Sequence, residues 1–394
     1  MTGSGGPPPK PEVLNERMAI IALCFGTIAT ISDIYVVQPI LPLLSVSFQV
    51  SPTVASLAVS LNIMALAFAL LVVGPLSDYL GRKPVMVAAG FLLVIPTAWI
   101  ALTDNFSSFL VLRAFQGIFV AGIAAIAMAY IAEELPPGRV GRVIGIYISA
   151  MIASGLFGRV GGGILSGLYG WRLTFIVFSL MNLLGSCLML YYLPASRNFI
   201  RSSGVFASYV RMLGHFKNRR LAGAFIIAFS LFFTFTGTFT YVTFYLTNPP
   251  YNLSTVILSL IFLAYITGVI SPLAGAVSSR VGRGKVIGVG LAVASAGILI
   301  TLAAPLAVII MGLTLLCAGL FIAQPAASAL VGDNAGTGKG SATALYLFSY
   351  YIGGSLGALL PGLLSNAYGC QGHSPCLAAL ILAFLSFFTL PLES

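Results

Sequence analysis

Asp33 is the only carboxylate that falls well inside a long apolar run of this 394-residue chain. Counted from Met18, it lies about fifteen residues in, or about 22 Å at helical rise. Arg113 lies about seven residues below the end of another apolar run, or about 10 Å down. Across a hydrocarbon core of ~30 Å the two charges sit at similar depth. A charge at that depth is costly unless it meets a partner or an aqueous cavity. A carboxylate whose proton affinity changes as a cation approaches or withdraws can take up and release a proton in step with a shape change. Asp33 with Arg113 supplies those parts. Each also has a plainer use: Asp33 as the cap of a kink before Pro39 and Pro42, Arg113 as a packing residue bonded to backbone carbonyls. Arg159 is a third charge in an apolar run. It could hold an anionic group, pair with Asp33 in one conformation, or extend its charge to the membrane surface.

The elements that carry these residues are membrane helices. Hydrophobic residues make up 59% of the chain and charged ones 7%, against about 25% charged in soluble domains. Apolar runs of ~18 residues or more read as transmembrane helices. Twelve are expected, at roughly 18–45, 52–74, 84–103, 107–132, 139–168, 172–193, 221–247, 253–277, 285–303, 305–330, 340–368 and 375–392. With the N-terminus inside, sixteen of the nineteen Lys and Arg fall on the cytoplasmic side, which is the positive-inside pattern and places both termini in the cytoplasm. The net charge of +10 is therefore a topology signal and not a nucleic-acid footprint. Residues 1–17 read as a disordered tail, and Cys370 and Cys376, on an expected exterior loop, as a disulfide. His215 and His373 both fall in loops, so neither a metal cluster nor a Ser/His/Asp set is expected. No Gly-rich phosphate loop with Lys-Ser/Thr is present, which excludes ATP as the energy source and an enzyme of that type.

Two internal repeats divide the chain. Gly74-Pro-Leu-Ser-Asp78 through Gly81-Arg82-Lys83 recurs as Gly275-Ala-Val-Ser-Ser-Arg280-Val-Gly282-Arg283, 201 residues later. Tyr147, Gly155, Gly158, Gly163, Leu165, Ser166, Tyr169 and Gly170 recur 199 residues on, at Tyr346, Gly354, Gly357, Gly362, Leu364, Ser365, Tyr368 and Gly369. The long basic interruption at 194–220 separates the spans six and six. The expected organisation is a bundle at 18–193, a cytoplasmic linker at 194–220 and a bundle at 221–394. Parallel halves of this kind rock about a site near the membrane midplane.

With these motifs in hand, the chain resembles the major facilitator superfamily. It is most similar to the twelve-span drug:proton antiporter group and, within it, to YnfM-like bacterial inner-membrane transporters. Three motifs carry the resemblance: Gly74 to Lys83 after span two, Arg113-Ala-Phe-Gln116-Gly117 in span four, and the glycines Gly145, Gly158, Gly162 and Gly163 of span five. Arg159 stands where the antiporter motif has proline, and Ser154 replaces its second glycine.

The resemblance implies an all-α fold of two six-helix bundles with pseudo-two-fold symmetry. It further implies a cofactor-free, proton-driven monomer in the bacterial inner membrane, moving a small molecule by alternating access. Export of amphiphilic compounds is one reading. Another is a specific exporter or proton symporter for a sugar, organic acid or siderophore. Asp78 would cap span eleven, and Arg82 would pair with Glu133 or Glu134, with Gly74, Gly81, Gly275, Arg280 and Arg283 completing the gate. Tyr35, Gln38, Asn62, Gln116, Arg159, Gln324 and Tyr346 are polar groups in cavity-lining spans. Phe232 and Phe235 in aromatic span seven either wall the cavity or face lipid.

Overall fold

A computed structural model of the chain describes residues 16–135, 137–196, 215, 218–336 and 339–368, without the side chains at 137, 339 and 365–368. The expected twelfth span at 375–392, the Cys370–Cys376 disulfide, and most of the tail and linker lie outside the described residues. Among the described residues there is no strand. Eleven helical segments are long and apolar enough to cross a membrane. They are Glu16–Phe48, Pro52–Leu80, Arg82–Ile100, Phe106–Glu134, Gly138–Tyr169, Trp171–Tyr192, Arg219–Thr247, Thr255–Val281, Arg283–Ile300, Leu306–Asn334 and Gly340–Leu364, called spans one to eleven.

Local chemistry sets the ends. Ser51 accepts from Val54 N at the head of span two, and Ser254 does the same for Ile257 N at the head of span eight, each an N-cap that occupies an orphan donor. Spans two and eight both stop at a glycine of the repeated turn. Gly81 has φ 97° and Gly282 φ 106°, a conformation that a Cβ would strain. Their N–H groups close on the carbonyls of Ser77 and Ser278. The Gly-Arg pair of each copy is thus one device: a residue that ends the helix, then a cation that opens the next.

Three spans are broken within the membrane. Span one passes from the helix Glu16–Tyr35 through the short 3-10 turn Gln38–Ile40 into the helix Leu41–Phe48. Pro39 has no N–H to continue the first helix. Span four is interrupted between Phe106–Ala124 and Ala127–Glu134. In span eight the segment Phe262–Ile270 is a 3-10 helix between Thr255–Ile261 and Ser271–Val281. Broken helices free backbone carbonyls and amides at membrane depth, where they must be satisfied or face a cavity.

Spans one to six pack among themselves, as do seven to eleven, and the halves meet through span two on eleven and span five on eight. The two ends of the molecule differ. Let the basic end be the one that carries Arg82, Arg139, Arg219 and Arg283. Toward the opposite, far end the halves are joined. Ser355 Oγ donates to the Ser60 carbonyl at 2.9 Å and shares a bond with Ser60 Oγ at 2.9 Å. Tyr241 Oη donates to Ser56 Oγ, and Gly163 lies against Ser259 so closely that a Cβ would strike it. Toward the basic end, a Cβ added at Gly74, Gly141, Gly145, Gly332 or Gly340 would meet nothing within 4 Å. The molecule is closed at the far end and open at the basic end. Gly74 was expected to permit close approach between the halves, and in this conformation it faces open space instead.

The Ser60–Ser355 contact can be tested directly. In a background without the five native cysteines, Ser60→Cys with Ser355→Cys should oxidise readily and resist maleimide labelling until reduced. Thiols that label equally before and after oxidation would contradict closure at the far end.

Candidate functional site

Span one ends its first helix at Tyr35, so the last carbonyls of that helix lack partners of their own. Arg113 supplies them. Its Nη1 donates to Asp33 O at 2.6 Å and its Nη2 to Ile34 O at 3.2 Å. Nε donates to Ala58 O at 2.9 Å, and Nη1 also donates to Gln116 Oε1 at 2.7 Å. A cation at a helix C-terminus is favoured by the helix dipole as well as by these bonds. Arg113 is fully buried, and Asn62 Nδ2 donates to its carbonyl at 2.8 Å. Arg113 thus sits where depth counting put it, beside Asp33, yet its guanidinium meets the Asp33 backbone and not the Asp33 carboxylate.

The carboxylate itself points toward spans three and six. Asp33 Oδ2 accepts from Asn182 Nδ2 at 2.6 Å and from Thr97 Oγ1 at 3.2 Å, while Oδ1 is buried without a partner. Gln116 Nε2 donates to Thr97 Oγ1 at 2.8 Å. A continuous path therefore runs from Arg113 through Gln116 and Thr97 to Asp33. Thr97 and Asn182 were not singled out from the sequence. Each is a polar group within an apolar run, and only packing distinguishes it from the other hydroxyls and amides of its kind.

Arg159 is the second arginine buried in a span, 1% exposed. Its Nε donates to Gln38 Oε1 at 2.8 Å and its Nη1 to Gly155 O at 2.9 Å, four residues back on its own helix. Four aromatic rings surround the guanidinium carbon: Tyr35 at 3.9 Å, Tyr265 at 4.8 Å, Phe235 at 5.2 Å and Phe262 at 5.7 Å. The charge does not reach a membrane surface, which overturns that expectation. It is enclosed where the two halves meet, because the aromatic faces of spans seven and eight give it a better environment than lipid. No ion pair to Asp33 forms; ion pairs among the described residues use Arg82, Arg139, Arg172 and Arg283.

Span seven turns its aromatic residues inward: Phe232, Phe235 and Phe239 are all buried and do not face lipid. Phe235 joins Tyr265, Tyr350, Phe321, Leu231, Leu320 and Gln324 around a small pocket that opens to solvent. Phe232 stacks on Tyr350 with ring centroids 4.2 Å apart and is one layer behind this wall. Tyr346, expected to line the cavity, is buried with its hydroxyl on Gln324 O at 3.3 Å. Of the expected cavity residues, Phe235 and Gln324 line the pocket, Arg159, Gln38 and Tyr35 form the cage beside it, and Asn62 and Gln116 belong to the Arg113 network.

At the basic end the repeated turn forms two matching clusters. Arg82 makes a bidentate pair with Glu133, Nε to Oε2 at 3.0 Å and Nη2 to Oε1 at 2.8 Å. It also bonds Ser77 Oγ and pairs with Asp78. In the second half Arg283 bonds Ser278 Oγ at 2.6 Å and Asp333 Oδ2 at 3.2 Å. Asp333 lies 200 residues after Glu133, so the repeat spacing itself could have found it. Arg280 is exposed and Gly275 packs on Pro325 of its own half. Asp78 is held by Arg82 rather than by span eleven, as the opening at this end requires. Among the described residues no group of three His, Cys, Asp or Glu is placed to hold a metal.

The model of the Major Facilitator Superfamily matches residues 23–358. The chain belongs to that superfamily. It is 36% identical over 370 residues to the inner membrane transport protein YnfM of Escherichia coli K12, covering 93% of this chain and 88% of the other. It is 34% identical over 372 residues to the MFS-type transporter YybF of Bacillus subtilis 168, covering 93% and 91%. Among solved structures it resembles a bacterial homologue of the human lysosomal transporter Spinster in an inward-facing, unoccupied conformation, with TM-score 0.81, 16% identity and 97% of both chains covered. A D-xylose–proton symporter matches with TM-score 0.74, 16% identity and 96% and 98% coverage. The protein is therefore a multi-pass membrane transporter and not an enzyme, of a family that runs on an ion gradient without a cofactor.

The Arg113 fork yields a stability test. Lysine keeps the charge but cannot reach several carbonyls at once. Leaving two or three buried acceptors empty, Arg113→Lys should cost at least about 2 kcal/mol, read as a lower thermal midpoint of the purified protein. A midpoint equal to wild type would show that the carbonyl bonds do not hold span one.

Proposed function

We propose that the protein is a proton-coupled secondary transporter that moves a small organic compound by rocking its two halves between the present opening and an opening at the far end. The observation that carries this is the Asp33 carboxylate: fully buried, with one oxygen unpartnered, and linked through Thr97 and Gln116 to Arg113. Such a carboxylate can take a proton on its open oxygen without breaking its bonds to Asn182 and Thr97. Arg113 sits three hydrogen bonds away along this path. A small rotation of span four against span one would alter the field at the carboxylate, and with it the affinity for a proton.

The basic loops put the open end in the cytoplasm by the positive-inside rule, with the N-terminus on the same side. The Arg82–Glu133 and Arg283–Asp333 clusters then hold the cytoplasmic helix ends of each half as rigid units. When that end closes, Asp78 can exchange part of its bond to Arg82 for the head of span eleven, whose dipole favours an anion.

Antiport outward and symport inward use the same parts. The polar cage of Arg159 and Gln38 beside the pocket favours a cargo of defined chemistry over a broad set of greasy compounds. A D-xylose–proton symporter shares the fold. Export of a specific metabolite is the reading we adopt. The expected working unit is a single chain.

In liposomes carrying a lumenal pH dye, a transported compound should drive proton movement in wild type and none in Asp33→Asn. Proton movement of equal rate in the variant would remove Asp33 from the coupling.

A further inference from the structure

Two arginines are buried in spans, and they are satisfied to different extents. Arg113 meets four acceptors, Asp33 O, Ile34 O, Ala58 O and Gln116 Oε1. Arg159 meets Gln38 Oε1 and Gly155 O and also bonds the Tyr265 side chain. A guanidinium carries five N–H donors, so Arg159 keeps donors to spare where Arg113 is close to saturated. Among the described residues neither guanidinium makes an ion pair, although the Asp33 carboxylate is near enough to favour the Arg113 charge. The helix end and its carbonyls compensate Arg113 as well. For Arg159 the compensation is neutral throughout: the oxygens of Gln38 and Gly155, the Tyr265 side chain, and π density from one ring of the first half and three of the second.

The fold does not ask for this charge. The repeat places Ala358 opposite Arg159 in span eleven, and Ala358 is fully buried without need of a polar partner. A cation held at 1% exposure near the membrane midplane, with spare donors and no acid, is a costly feature. It is also placed to be used. Phe235 and Tyr265, two rings of the cage, are at the same time walls of the pocket that opens to solvent.

We infer that Arg159 is the recognition cation for an organic anion, a compound with a carboxylate head and an apolar or aromatic body that occupies the pocket beside Phe235 and Tyr265. This rests on the transporter reading above and names its cargo class. The carboxylate takes the spare donors as a charge-assisted, bidentate pair, and the body stacks on the rings it displaces from the cation. In the empty carrier the same rings stand in for the anion, so the charge is never left bare while the halves rock. Because the cage draws on both halves, an anion bound there also reports on whether they have closed.

The test uses full-length protein in nanodiscs and a fixed panel of matched small aromatics: benzoate and phenylacetate, the neutral benzamide and benzyl alcohol, and the cation benzylamine. Thermal stabilisation and equilibrium binding are measured for wild type, Arg159→Gln and Arg159→Lys, each checked for a monodisperse profile. The expected result is binding of the carboxylates alone, weakened about 10- to 100-fold in Arg159→Gln and recovered in part by Arg159→Lys. Carboxylates that fail to bind wild type, or that bind Arg159→Gln as well as wild type, overturn the inference, as does preference for benzylamine. The pH-dye liposome assay with the same panel separates this from failure of the transporter reading. Proton movement driven by benzylamine or benzyl alcohol would retain a transporter and reject the anion.

Discussion

Arg113 bonds carbonyl and amide oxygens and forms no direct ion pair, and much of the first half is arranged around that fact. The membrane interior forbids a bare guanidinium, and it equally forbids bare carbonyls at the broken end of a helix. Breaking span one after Tyr35 creates the second problem at the depth where Arg113 creates the first. Each resolves the other through the bonds to Asp33 O and Ile34 O. The consequence is that the Asp33 side chain is left pointing away from the cation, toward Thr97 and Asn182. The proposed proton site at Asp33 thus lies three hydrogen bonds from Arg113 through Gln116 and Thr97, without a direct ion pair.

The two-fold repeat and the departures from it divide the labour. At the basic end the halves are near copies, with Ser77, Arg82 and Glu133 answered by Ser278, Arg283 and Asp333. Both copies stiffen the turn that follows a broken or proline-bearing span, which rigid-body rocking needs. At membrane depth the symmetry is abandoned. The first half holds Asp33, Arg113 and Arg159, and the second answers with aromatic rings and a pocket. A symmetric frame gives two equivalent ways to open, and under the proposed mechanism the asymmetric chemistry is what lets protons and cargo tell them apart.

Much of this was legible before the structure. The apolar runs, the repeat and the Gly-Arg turns required only that backbone groups be satisfied in lipid and that a positive φ demand glycine, and the eleven spans among the described residues fell within a few residues of expectation. Arg82 with Glu133 was among the expected pairs. What escaped depended on rotation about helix axes. Depth counting placed Asp33 beside Arg113 but could not say which atom of Asp33 the guanidinium would meet. Thr97 and Asn182 differ from other polar residues only in the direction they face. Arg159 was open between surface and interior, because the rings that enclose it come from spans more than 70 residues away in the chain. Phe232 and Phe235 were open between lipid and cavity for the same reason.

In the proposed mechanism, closure at the far end and opening at the basic end exchange, and the state of Asp33 biases the exchange. Pulsed electron–electron distance measurements in nanodiscs test it most directly. One spin-label pair would sit at the exposed Leu80 and Val281 on the basic end, the other at the exposed Ser47 and Asn248 on the far end. Between alkaline and acidic pH the two distances should change in opposite senses, and in Asp33→Asn neither should respond to pH. Distances that stay fixed at both ends, or a pH response that survives in Asp33→Asn, would contradict the account.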